Sequence, residues 1–258
     1  MRKILAVIPI HRPTLDLKEC FSLKYSLSIL ERREAAFVGS SQLDLAWYRR
    51  HFPGIPFIAF DPAYFVSRES YSALLLTHEF YQRFDPYSFI LILQPDAIIL
   101  RDELDHWCDL PYDYVGAPWP DGWSVHIPAK SSRHAKPIKV HVGNGGLSLR
   151  RVHACKRLIE LNQPLIENNR GKYFEDILFA IMGAMTDGFT LPNIAAAAMF
   201  SLELKPSFCC ALNQGRLPMG GHAWWKYEPD FWMPHLTDRA AELHVADVFD
   251  VKKFAAVR

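Results

Sequence analysis

Apolar and polar positions change rhythm repeatedly along this chain, and each change predicts a different kind of element. Residues 3–10 are a nearly unbroken apolar run ending at His11-Arg12-Pro13, as expected for a strand covered on both faces. Cys20, Leu23, Leu27 and Leu30 then recur at helical spacing, which predicts a helix laying one stripe on a sheet. Residues 35–39 and 56–60 read as two short strands around a helical segment over 43–50. Ala73, Leu76, Phe80 and Phe84 repeat the helical stripe, and residues 89–93 form an intensely apolar strand. Alternation of this kind predicts a mostly parallel sheet with helices on its faces.

After Asp96 the rhythm shortens. Residues 114–119 and 140–149 are strand-like, and the polar stretch 120–139 between them has no periodicity and holds Lys130, Arg133, Lys136 and Lys139. It is expected to be a mobile lid. One following helix carries Val152, Cys155 and Ile159, and a second carries Phe174, Ile177, Leu178 and Ile181. The fold class expected is α/β: one domain over 1–258, with a Rossmann-like front half through residue 100. A mixed back half over 101–235 and a tail over 236–258 complete it.

Composition narrows the function. Half of the chain is hydrophobic, so a packed core is expected. The 29 basic and 28 acidic residues leave a formal net charge of +1, which lacks the basic excess of a nucleic-acid binder. Arg2 and Lys3 precede an apolar run as in a signal peptide, but Pro9 interrupts it and no small-residue cleavage site follows. No apolar stretch approaches bilayer length. Five cysteines without metal-type spacing fit a reducing compartment, and cytoplasmic location is expected, with peripheral membrane contact and oligomeric state left open.

Four segments hold candidate chemistry. Gln94-Pro95-Asp96 ends the apolar strand 89–93, where ligands collect in open α/β sheets, although a strand-end acid also serves as a turn cap. Gly143-Asn144-Gly145-Gly146 permits close approach of a ligand to the main chain, or equally a tight hairpin turn. Glu175-Asp176 opens a helix, where acids are favoured by the dipole in any case. Asp176 points nearly opposite to the stripe of Phe174, Ile177, Leu178 and Ile181, and the helix start is expected to lower its pKa. His222, between Gly220-Gly221 and Trp224-Trp225, reads as a metal ligand, a phosphate contact or a satisfied interface histidine.

Taken in order, these segments resemble the GT-A glycosyltransferases. They are most similar to a bacterial and fungal group catalogued as glycosyltransferase-like domains of unknown function. The likeness lies in Gln94-Pro95-Asp96, Asp113-Tyr-Val-Gly-Ala-Pro-Trp119 and Gly143-Asn-Gly-Gly-Leu-Ser-Leu-Arg150, and it extends over residues 3–227. The resemblance implies transfer of a sugar from a nucleotide-diphosphate donor to a hydroxyl of a glycan or glycolipid acceptor. It implies a divalent metal, Mn or Mg, at Asp96 and His222, with Gln94 replacing the first acid of an Asp-x-Asp motif. Asp176 would be the base of an inverting transfer, beside Glu175. Pro9, His11, Arg12, Tyr71, Gln94, Asp96 and Lys226 would meet the donor, and Trp119, Asn144, Gly145, Gly146 and Trp224 the sugar or acceptor. Asp96 and His222 are expected to lie together at the carboxyl edge of the sheet. The alternatives are a nucleotidyltransferase, which usually has a Gly-rich basic loop after its first strand, and a non-catalytic carbohydrate-binding domain, favoured by Gln94.

Overall fold

A computed structural model of the chain describes residues 3–126 and 137–242, without the side chains of 237–242. The strands are β1 (Ile4–Pro9), β2 (Glu34–Ser40), β3 (Phe57–Phe60), β4 (Phe89–Leu93), β5 (Ala97–Ile99), β6 (Tyr114–Val125), β7 (Ile138–Arg151), β8 (Ser201–Leu202) and β9 (Gly220–His222). The helices are α1 (Leu17–Ile29), α2 (Ala46–His51), α3 (Arg68–Leu74), α4 (His78–Gln82), α5 (Leu104–Asp109), α6 (Val152–Leu161), α7 (Gln163–Asn169), α8 (Glu175–Met185), α9 (Ile194–Phe200), α10 (Pro206–Leu212) and α11 (Pro229–Glu242).

The main sheet has six strands in the order β3-β2-β1-β4-β7-β6. The first four run parallel, and β7 and β6 add antiparallel strands at the β4 side. Alternation along β1 and β4 explains the three layers. Ile4, Ala6, Ile8, Phe89, Leu91 and Leu93 face one core with α1, α2 and α5. Leu5, Val7, Ile90 and Ile92 face another with α3, α4, α6 and α8. Both faces are therefore apolar, and the runs that predicted buried strands are those strands.

A second sheet, β5-β9-β8, was not foreseen. Its strands span two or three residues each, too few for any periodicity to register. The stripe over residues 73–84 is two helices, because Thr77 breaks it: the Thr77 hydroxyl accepts the Phe80 N–H at 3.1 Å and starts α4. Helix α2 begins three residues later than the segment expected at 43–50, after Asp44 takes the Ala46 N–H. The expected lid over 120–139 is corrected at both ends. Residues through Val125 and from Ile138 pair as antiparallel strands, with register shifts at Gly116, Ala117 and Pro118. The remainder of that expectation, residues 127–136, lies outside the described residues, as does most of the 236–258 tail; α11 runs across residue 236. All five cysteines are buried and unpaired. Among the described residues no helix is long and apolar enough to cross a membrane.

Candidate active site

A cleft of about 700 Å³ opens at the carboxyl ends of β1 and β4. Backbone pairing builds its first wall. Strand β5 follows Asp96 directly and pairs antiparallel with β9, Ala97 opposite His222, so Asp96 and His222 become neighbours. Ala223 N–H closes the junction on the Asp96 carbonyl at 2.9 Å. The expected proximity of these two residues is observed.

His222 Nε2 lies 3.0 Å from Asp96 Oδ1 and 3.2 Å from Gln94 Oε1, and its Nδ1 faces Glu203 Oε1 at 3.3 Å. Lys226 Nζ donates to Asp96 Oδ2 at 2.9 Å. Burial works against charge at Asp96, but His222 and then Lys226 overcome it and hold the carboxyl well below the usual range. Burial likewise opposes the imidazolium of His222, yet Asp96 and Glu203 push its pKa up to about 10.

The glycines of β7 form the floor because nothing larger fits. A Cβ on Gly146 would sit 2.2 Å from His222 Nε2, and one on Gly145 would sit 2.7 Å from Glu175 Oε1. Asn144 fixes this floor by accepting the Gly146 N–H at 3.2 Å and donating to Glu203. Behind it Arg150, 0% exposed, donates to Ser148 Oγ at 3.0 Å, Tyr81 Oη at 3.0 Å and Glu175 Oε1 at 3.2 Å.

Helix α8 supplies the opposite wall. Its free N–H groups are met locally: Ser72 Oγ accepts from Glu175 N at 2.6 Å, and Asp176 Oδ1 accepts from Ile177 N at 2.7 Å. The expected lowering of the Asp176 pKa is wrong in sign. Burial, reinforced by the Glu175 charge, outweighs the Ile177 N–H and Arg150 and pushes it up to about 7. Phe174 does not join the core stripe either. It precedes the helix as its N-cap and is 41% exposed at the cleft rim.

Pro9, His11, Arg12, Tyr71, Gln94, Asp96, Asn144, Gly145, Gly146, Glu175, Asp176, His222 and Lys226 all line this cleft. The two tryptophans expected to face a sugar do not. Trp119, 5% exposed, packs among Val125, Val140, Ile177 and Ile181. Trp224, 0% exposed, packs with Phe21 and donates Nε1 to Ser22 Oγ at 2.8 Å. Asp113 of the matching segment is likewise structural, since its carboxylate accepts from Arg151 Nε at 2.8 Å and Thr190 N at 2.9 Å. Sequence reasoning missed Glu203 and Arg68 in the lining. A lone acid after a two-residue strand gives no signal, whereas Ser67-Arg68-Glu69 does read as a helix start. Burial, and then the charges of Arg12 and Arg68, lower the pKa of His11, so the cations at the β1 end are the two arginines.

With the Nε2 proton of His222 displaced, Gln94 Oε1, Asp96 Oδ1 and His222 Nε2 would be the donors offered to a divalent cation. Ligands about 2.1 Å from one octahedral ion lie about 3 Å from each other, the spacing of Gln94 Oε1 and Asp96 Oδ1 from His222 Nε2. Glu203 behind Nδ1 would orient the imidazole as a metal ligand. Among the described residues no three His, Cys, Asp or Glu side chains group for a metal, so a cation here would need the neutral Gln94 amide as its third donor.

Solved structures with this fold include the glycosyltransferase GlyE of Streptococcus pneumoniae TIGR4, at 12% identity and a TM-score of 0.50. That match covers 97% of this chain but 64% of GlyE, so the chain spans less than two thirds of that protein. The galactosyltransferase LgtC, solved with donor and acceptor sugar analogs, matches at 16% identity and a TM-score of 0.50, over 98% of this chain and 94% of LgtC. No curated protein sequence matches the chain. The sequence profile of the family described as "Protein of unknown function (DUF5672)" matches residues 54–222. The chain belongs to that family, and it carries the GT-A fold of the glycosyltransferases.

Proposed function

We propose that this protein is a glycosyltransferase that moves a sugar from a nucleotide-diphosphate donor to a hydroxyl of a glycan or glycolipid acceptor. The observation that carries the reading is one cleft with two unlike walls. Gln94, Asp96 and His222 converge on one side, and a carboxyl with its pKa near 7 stands on the other. The GT-A fold of the chain supports the same reading.

The donor diphosphate lies along the Asp96 wall, where Lys226, Arg12 and Arg68 offer positive charge. Gln94, Asp96 and His222 would hold a divalent cation, whose chemistry when bound is neutralisation of the leaving diphosphate. Pro9, His11 and Arg12 border the nucleoside end at β1. Asp176 accepts the proton of the acceptor hydroxyl as its oxygen bonds to the anomeric carbon. The bond from that carbon to the phosphate oxygen breaks, its electron pair leaves with the diphosphate, and the anomeric configuration inverts. Tyr71 and Ser72 close the cleft beside Glu175.

A panel of nucleotide sugars screened by thermal shift identifies the donor, because a ligand of the native state raises its stability. Release of nucleoside diphosphate is then followed with Mn²⁺, with Mg²⁺ and with chelator. Turnover abolished by chelator and restored by metal is expected. Full turnover in chelator assigns charge neutralisation to Lys226 and His222 instead. A product of retained configuration removes Asp176 as the base.

A further inference from the structure

A side cavity of about 200 Å³ opens beside the main cleft. The two share Ser72 and Phe174 as walls, and neither Arg12, Asp96 nor Lys226 reaches the side cavity. It therefore begins at the Glu175-Asp176 end, away from the wall assigned to the donor.

Its outer wall is the turn from Arg170 to Tyr173, between α7 and α8. Tyr173 ties this turn to the end of β6: its hydroxyl accepts from His126 N at 3.0 Å and lies 3.3 Å from the His126 carbonyl. Arg170 and Lys172 both line the cavity, and among the described residues neither forms an ion pair with a carboxylate. Among the described residues Lys172 Nζ donates to the Asn168 carbonyl, at 3.2 Å. Glu69 on the inner wall offsets one of these charges, so the cavity keeps a surplus of one positive charge. Phe174, exposed at the rim between the two cavities, presents the flat apolar face on which a sugar's C–H groups settle. From Arg170 to Asp176 the chain thus sets out two cations, an aromatic platform and the carboxyl of Asp176.

We propose that the side cavity is an acceptor subsite for an acidic sugar residue, whose carboxylate or phosphate is held by Arg170 and Lys172 while Phe174 supports the ring bearing the reacting hydroxyl. The proposal rests on the transferase reading above. It makes the acceptor an anionic glycan or glycolipid rather than a neutral one.

Binding without turnover tests it independently of catalysis. The full chain is titrated calorimetrically with three probes: a neutral glucosyl-glucose disaccharide, its glucuronyl-glucose counterpart, and the same disaccharide with a terminal 6-phosphate. The acidic probes are expected to bind on the order of tenfold more tightly than the neutral one, as a charge-assisted contact to guanidinium or ammonium would give. The stronger of the two acidic probes names the anion. Arg170→Gln with Lys172→Gln should erase the preference, and Arg170→Lys with Lys172→Arg should restore it. Equal binding of the neutral and acidic probes, failure of all three to bind, or a preference that survives the neutralising pair overturns the proposal. A preference erased as expected, in a protein that cleaves no donor, upholds the subsite and overturns the transferase reading.

Discussion

Asp96 and Asp176 are the same side chain on two walls of one cleft, and burial disfavours the anion at both. At Asp96 each carboxylate oxygen meets a cation, His222 at 3.0 Å and Lys226 at 2.9 Å, and the group stays ionised. At Asp176 the neighbour that matters is another acid, Glu175, and the pKa climbs to about 7. Arg150, whose charge works to lower the Asp176 pKa, is paired with Glu175. Asp96 is thus fitted to hold charge and Asp176 to exchange a proton. Strand end and helix start do not decide this; the counter-charges within reach do.

The sharpest way to break the comparison is Asp176→Asn, which keeps size and hydrogen-bonding shape but cannot take a proton. Turnover should fall by roughly two to four orders of magnitude, with donor binding by thermal shift unchanged. On the proposed transfer, kcat/KM of the unaltered protein should rise with pH below about 7 and level above it, because Asp176 as the base would have to lose its proton and its pKa is pushed up to about 7. A flat profile from pH 5 to 8 would show that Asp176 is ionised throughout, like Asp96. Loss of donor binding in the Asn variant would make it a donor ligand.

Arg150 offers the next largest effect and acts on the same wall. Arg150→Met leaves the buried Glu175 carboxylate without its partner, and should destabilise the fold by about 3–5 kcal/mol in denaturant unfolding. Adding Glu175→Gln should recover part of that loss, since the unpaired charge goes with it. If the single variant loses under about 1 kcal/mol, the Arg150–Glu175 pair is not what separates the two walls.

What could be read in the sequence follows the length of each signal. The parallel strands were legible because β1, β2 and β4 are apolar runs, and helices follow β1 and β2. Gln94-Pro95-Asp96 was legible because it ends such a strand, and Gly145-Gly146 because only glycine tolerates His222 and Glu175 so close. Glu203 was not, since its neighbour β8 is two residues long and its partners Asn144 and His222 are distant in sequence. Phe174 continued the apolar period of α8 by one position, although the helix begins after it. The sign of the Asp176 shift was illegible because it depends on Glu175 and on burial by elements far along the chain. Aromatic residues near a candidate site misled most: Trp119 and Trp224 are core, and the exposed ring at the cleft is Phe174.

Trp224 gives the smallest effect and sets the boundary of the Asp96 wall. It stands two residues from His222, so proximity in sequence assigns it to the site, whereas its burial and its bond to Ser22 assign it to the core. Trp224→Phe keeps an aromatic ring among Phe21 and its neighbours but loses the 2.8 Å hydrogen bond and some volume. That combination should cost about 1–3 kcal/mol of stability, mostly for the space left behind. Donor affinity and turnover per folded molecule should not change, because no atom of Trp224 borders the cleft. Unfolding in denaturant gives the first quantity, and kinetics on the folded fraction gives the second. A raised KM for donor at unchanged stability would return Trp224 to the site. It would also mean that the Asp96 wall extends past His222 into what is here the packing beneath β9.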